Sequence, residues 1–162
     1  RTGRPFTGDE SGALLFRSLH ALRLCDAPTS SGGDDTPRLR GCRITNAVKC
    51  LPPGNRPLAD EIMRCNRYLS AEIAALPDDA VLLALGRVAH DAVLRALHVD
   101  AATRREMMFA HGAVHAISGL SGGSLWLVDS FHPSRYNVNT GRLSEQMFLR
   151  TLTEAARLCA LV

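Results

Sequence analysis

The sequence predicts a single α/β domain over residues 1–162, a three-layer α/β/α sandwich around a central, mostly parallel sheet. Three observations predict it. Short apolar runs with strand character alternate with segments whose apolar residues recur at helical spacing, and such alternation builds a sheet covered by helices on both faces. One run, "AVLLALG", is wholly apolar, as a strand buried on both sides must be. At 162 residues and 46% hydrophobic, the chain also has enough apolar surface for one core.

The elements follow in order. In "TGDESGALLFRSLHAL" the leucines at 14, 15, 19 and 22 form a helical stripe, and Thr7 with Glu10 has the spacing of a capping box. The proline-bounded, polar "APTSSGGDDTPR" is a surface connection. "LRGCRITNAVKC" reads as a strand ending near Asn46, before the prolines of "LPPGNRP". Ile62, Cys65, Leu69 and Ile73 then mark a second helix that Pro77 stops. After "AVLLALG", Gly86 opens a helix over "RVAHDAVLRALHV". Residues 101–122 mix a polar turn with a short edge strand at Ala113–Ile117. "SLWLVDSF" is the last strand, and "SEQMFLRTLTEAARLCALV" closes the chain as an amphipathic helix with Met147, Leu152, Ala155 and Leu158 inward.

Composition narrows the function classes. No run reaches the roughly 18 apolar residues of a membrane span, so the expectation is a protein that avoids the bilayer. A net charge of +3 does not by itself establish a nucleic-acid partner. Arginine supplies nearly all the positive charge, with Lys49 the only lysine; that skew fits codon usage as well as it fits phosphate contacts. Five cysteines, an odd number without disulfide-scaffold spacing, point to a reducing, cytoplasmic setting. Cys25, Cys42 and Cys159 read as small core residues. No "GxGxxG" or P-loop sequence occurs, which disfavours a nucleotide-binding domain.

Chemistry concentrates where strands end. Asp9, Asn46, Asn137 or Asn139, and His132 all fall at turns or strand ends directed to one rim, the edge where open α/β folds bind ligands. Each also has an ordinary reading: Asp9 as a helix cap, Asn46 as a turn residue, His132 as a core histidine bonded to backbone. The other five histidines show no metal-site spacing. Cys50 and Cys65, with fourteen residues between them, read as core residues or as ligands.

Three stretches, "RTGRPFTGDESG", "ITNAVKCLPPGNRP" with "EIMRC", and "FHPSRYNVNTGRL", resemble in order the motifs of the iron–sulfur uracil-DNA glycosylases. The "HPSxxNxxTGRL" form is similar to family 5, the type B enzymes; a family 4 enzyme is the near alternative, and a non-catalytic damaged-DNA-binding module the alternative of another class. The resemblance implies the glycosylase fold and a monofunctional enzyme of base excision repair. Such an enzyme flips out uracil, or another deaminated base, and hydrolyses its glycosidic bond. Phe6 then corresponds to the stacking phenylalanine. Asn46 reads O4 and N3–H of uracil with one planar amide, and His132 donates to O2 as negative charge grows there. Asp9 corresponds to the aspartate that orients water, a role compatible with capping. Ser134 meets a phosphate, while Arg135, Tyr136, Asn137 and Asn139 form a loop that enters the duplex.

Cys50 and Cys65 correspond to two of four ligands of a [4Fe–4S] cluster. The resemblance places the family's first signature and the other two ligands upstream of Arg1. Lys49, the only lysine, precedes one of these cysteines, which argues against lyase chemistry. The implied partner is DNA containing uracil or deaminated bases, met by a monomer at the bacterial nucleoid.

Overall fold

The computed structural model describes residues 5–8, 10–30, 37–49, 58–77, 79–118 and 124–160. Among them are α1 (Glu10–Ala21), α2 (Ala59–Ala74), β1 (Val81–Leu85), α3 (Arg87–Ala96), α4 (Ala101–Glu106), β2 (Val114–Ser118), β3 (Ser124–Ser130), α5 (Arg135–Asn139) and α6 (Glu145–Leu158). Helices and strands are interspersed, as in the α/β class: two helices precede β1, two lie between it and the consecutive strands β2 and β3, and two follow. The chain divides into two compact units, one of residues 1–45 with 130–162, the other of residues 46–129.

In the first unit α1 packs on α6. Leu14, Leu15, Phe16 and Leu19 are buried on α1, and Phe148, Leu152, Ala155 and Ala156 on α6. The buried stripe of α6 is rotated from the expected one: Phe148 is fully enclosed, whereas Met147 and Leu158 are half-buried. Ser144 caps this helix by accepting from the Met147 amide at 3.1 Å. The expected capping box at Thr7 does not form. Its hydroxyl donates to the Pro5 carbonyl at 3.3 Å and lies 3.3 Å from Ser30 Oγ. Burial pushes the Cys42 thiol up, a rise to which the thiols of Cys25 and Cys159 add, while a backbone hydrogen bond opposes it. Of the three cysteines expected in the core, Cys25 is buried, while Cys42 and Cys159 are half-buried.

The expected strand ending near Asn46 does not form among the described residues. Leu39 makes only an isolated bridge to Cys25, with Arg40 N donating to Leu24 O at 2.9 Å and Asp26 N to Arg38 O at 3.2 Å. These bonds tie the segment to the turn after α1, and Gly41, at φ 64°, breaks the extended run at once.

The second unit holds β1, β2 and nearly all of β3, in the sheet order β1-β3-β2. β2 runs antiparallel to β3, pairing Val114 with Val128 and Ile117 with Leu125. The edge strand expected at 113–117 thus exists one residue later. Gly86, at φ 99°, makes the turn from β1 into α3, a conformation that favours glycine. α2 packs on α3 and α3 on β1. Leu69, Ile73, Ala84, Ala92, Leu94, Leu97, Ile117, Leu125 and Leu127 make the core between them. Three of these positions lie on α3 or just beyond it, so the helix after Gly86 anchors the sheet.

Candidate active site

In the first unit the chain leaves β3 through Ser130 and Phe131, the latter under the Arg142 guanidinium at 4.5 Å. His132 and Pro133 follow. Ser134 N donates to the His132 carbonyl at 2.7 Å, closing a three-residue turn whose centre is Pro133, a residue with φ already fixed near the required value. The Asn137 side-chain amide donates to the same carbonyl at 2.8 Å. Asn137 also gives its backbone N–H to Ser134 Oγ at 3.3 Å and accepts from Leu143 N at 2.9 Å. The His132 segment is therefore held from behind by one residue that bonds in three directions.

In front of it stands Phe6. Its ring stacks on the His132 imidazole, with centroids 5.5 Å apart and planes 25° from parallel. Phe6 sits at φ 56°, an unfavourable region for an aromatic residue. The turn is fixed in this shape by its neighbours: Gly8 N donates to Ser30 O at 2.9 Å, and Thr7 reaches the Ser30 hydroxyl.

Residues 135–139, expected as a loop, are the short helix α5. Ser134 caps it, because its hydroxyl can accept the Asn137 N–H in the space before the first turn. Tyr136 and Val138 are exposed, Tyr136 at 70%, and Asn139 is exposed at the helix end. Asn137 is half-buried with its amide committed to His132, unlike a side chain projecting toward a partner. Arg135 donates to Glu10 at 2.8 Å, both side chains well exposed. Behind the turn a pocket of about 210 Å³ is lined by Leu14, Arg17, Pro133, Arg135 and Val138 among others; neither Phe6 nor His132 lines it. Asp9 and Cys50 lie outside the described residues.

The second unit contains Asn46, exposed, beside Ala47, which packs against the core. Lys49 Nζ meets Glu72 Oε2 at 2.6 Å, tying the residue before Cys50 to α2. Cys65 is buried on the same helix. One described thiol does not make a cluster site, and nothing in the chemistry below passes through one.

The sequence reading missed a constellation in this unit. His90 on α3, His115 on β2 and Asp129 on β3 converge: His90 Nδ1 lies 2.9 Å and His115 Nε2 3.3 Å from the Asp129 carboxylate. His90 Nε2 is 2.9 Å from the Met107 carbonyl. Burial raises the Asp129 carboxyl above its ordinary range, although hydrogen bonds and charge from His90 and His115 pull the other way. No local spacing links three residues on three elements. The available signal was Asp129 itself, which shares a strand face with Leu125 and Leu127 and so carries a carboxylate inward.

The family model described as "Uracil DNA glycosylase superfamily" matches residues 1–156. The type-5 uracil-DNA glycosylase of Thermus thermophilus is 44% identical over 161 residues, which are 99% of this chain and 70% of that protein. That of Pyrobaculum aerophilum is 42% identical, over 96% of this chain and 64% of its own length. The type-4 uracil-DNA glycosylase of Thermotoga maritima is 28% identical, over 96% of this chain and 68% of its own length. The chain thus spans roughly two thirds of the relatives it matches, and it is more similar to the type-5 proteins than to this type-4 one.

Proposed function

The chain belongs to the uracil DNA glycosylase superfamily, DNA-repair hydrolases of N-glycosyl bonds, and on that premise we propose that it excises uracil, and other deaminated bases, in the manner of its type-5 relatives. The target nucleotide leaves the stack and its base enters a site where Phe6 stacks on it and Asn46 reads its edge. A single planar amide offers a donor for O4 and an acceptor for N3–H, a pairing that cytosine reverses. As the glycosidic bond lengthens, negative charge gathers on the departing ring, and His132 donates to O2 where that charge grows. Asp9 orients the attacking water and offsets the positive charge on the sugar.

Ser134 and Arg135 take DNA phosphates while Tyr136 and Asn139 face the duplex. Ser134 can do so while capping α5, since accepting the Asn137 N–H leaves its own hydroxyl hydrogen to donate. Asn137 acts from behind, as the residue that fixes the His132 turn. Cys50 and Cys65 supply two thiolates to a [4Fe–4S] cluster, whose part is to order the chain around them. Lys49, engaged by Glu72, forms no covalent adduct, so the product is an abasic site. The enzyme works as a single-domain monomer in the cytoplasm. Among the described residues no helix is long and apolar enough to cross a membrane.

The observation that carries this reading is the Phe6 ring lying on His132, with the His132 carbonyl gripped twice. A histidine held so firmly by its backbone suits a donor that must meet a developing charge without reorganising. The test is His132→Ala under enzyme excess. Cleavage is expected to fall about a hundredfold or more, while affinity for uncleaved DNA changes little, because the bond strengthens only as charge develops. A folded variant that cleaves at the wild-type rate would refute it.

A further inference from the structure

We propose that His90, His115 and Asp129 form a structural site for one divalent metal ion of the zinc class. The argument begins with the Met107 carbonyl, which can only accept, so the hydrogen of a neutral His90 ring sits on Nε2. The Nδ1 lone pair is then aimed at the Asp129 carboxylate from 2.9 Å. Two acceptors at that distance require positive charge between them, either a proton or a metal ion. A second imidazole nitrogen, His115 Nε2, is directed at the same carboxylate from 3.3 Å.

The geometry suits an ion. Bonds of about 2.0–2.1 Å in a tetrahedral site hold ligand atoms about 3.3 Å apart. The His115 contact already has this separation, and the His90 contact has to open by about 0.4 Å. All three ligand atoms lie within 4.8 Å of one another. Two imidazoles and a carboxylate are a borderline donor set, well matched to zinc. The Met107 carbonyl fills the outer position that metal-bound histidines use to fix their tautomer. His90 and Asp129 are shut away from water, whereas His115, partly exposed on the edge strand β2, leaves one side for a water as fourth ligand. An ion here would join α3 to both β2 and β3.

The experiment uses the purified full chain equilibrated with zinc sulfate. Thiolates are zinc ligands too, so the ion has to be located as well as counted. Crystals measured at the zinc absorption edge are expected to show an anomalous peak within bonding distance of His90 Nδ1, His115 Nε2 and Asp129. In solution, zinc is expected to raise Tm, and His115→Gln to weaken the affinity behind that shift by at least about tenfold, the loss that even an outer partner of a ligand causes. No peak at this trio at saturating zinc, or an undiminished zinc response in folded His115→Gln, overturns the proposal and leaves protons in the gap. Should His115→Gln fail to fold, the wild-type diffraction decides alone.

Discussion

Removing the Asn137 amide separates two roles that the sequence could not. In Asn137→Ala the His132 carbonyl loses the bond at 2.8 Å but keeps the one from Ser134 N at 2.7 Å. It is not orphaned, so the larger penalty for an unmet buried acceptor does not apply, and the cost is that of one ordinary hydrogen bond, about 1 kcal/mol. Spent on the fraction of molecules whose His132 turn is in place, 1 kcal/mol lowers cleavage about fivefold. Asn137→Asp, which sets a carboxylate against the carbonyl, is expected to lose more than Ala does. The assay is single-turnover cleavage of a uracil-containing duplex under enzyme excess, beside binding of the same duplex carrying a non-cleavable uracil analogue. The rate should fall with affinity nearly unchanged. Weaker binding with an unchanged rate on bound substrate would refute the reasoning and return Asn137 to the DNA.

Other expectations are independent of that one. Asn46→Asp should lower uracil cleavage and blunt discrimination against cytosine, because a carboxylate cannot donate to O4; a pocket residue of this kind is worth several kcal/mol, on the order of a hundredfold or more in specificity, and equal cleavage by the folded variant would remove Asn46 from recognition. Cys50→Ser and Cys65→Ser should each abolish the absorbance near about 400 nm given by iron–sulfur clusters, together with the iron content; full colour in both would return these cysteines to the core. Asp100 caps α4, and hydrogen bonds from the Thr103 hydroxyl, then from the Thr103 and Ala102 amides, hold its carboxyl below the ordinary 3.8. A carboxyl with a lowered folded pKa contributes stability that is present above its unfolded pKa and lost as pH falls through the folded one. Amide shifts of Ala102 and Thr103, followed between about pH 6 and 2, should therefore move at the acid end, and a transition above 3.8 would contradict the cap.

Periodicity made the long elements legible. A stripe such as Ile62, Cys65, Leu69 and Ile73, with its spacing of three and then four, shares one face only on a helix, and the short all-apolar run before Gly86 reads as a strand by its length and the glycine that bounds it. The short elements escaped because tertiary partners decide them. α5 exists through a serine cap and an asparagine bonded back to His132, and α4 through Asp100, neither of which an apolar pattern announces. The "LRGCRITN" run failed the other way: its β-branched residues promised a strand, yet Gly41 and the bridge to Cys25 spend its backbone elsewhere. At the site, the stack of Phe6 on His132 follows from two turns of fixed shape that bring distant segments together. The direction of the Asn137 amide depended on a carbonyl five residues away, and the meeting of His90, His115 and Asp129 on three separate elements; neither is written in local spacing.

The Arg135–Glu10 pair has an electrostatic consequence for how such a protein approaches nucleic acid. A lone surface arginine gains affinity by releasing the counterions condensed around a phosphate, and it loses that gain steeply as salt rises. Arg135 comes with its own carboxylate at 2.8 Å. The bond uses only Nε, so the Nη groups can still meet a phosphate, but the Glu10 carboxylate then lies close to the polyanion. Together the two side chains carry no net charge. Position 135 therefore adds little long-range attraction or salt sensitivity and acts only at close range, where a guanidinium can choose between two acceptors by geometry.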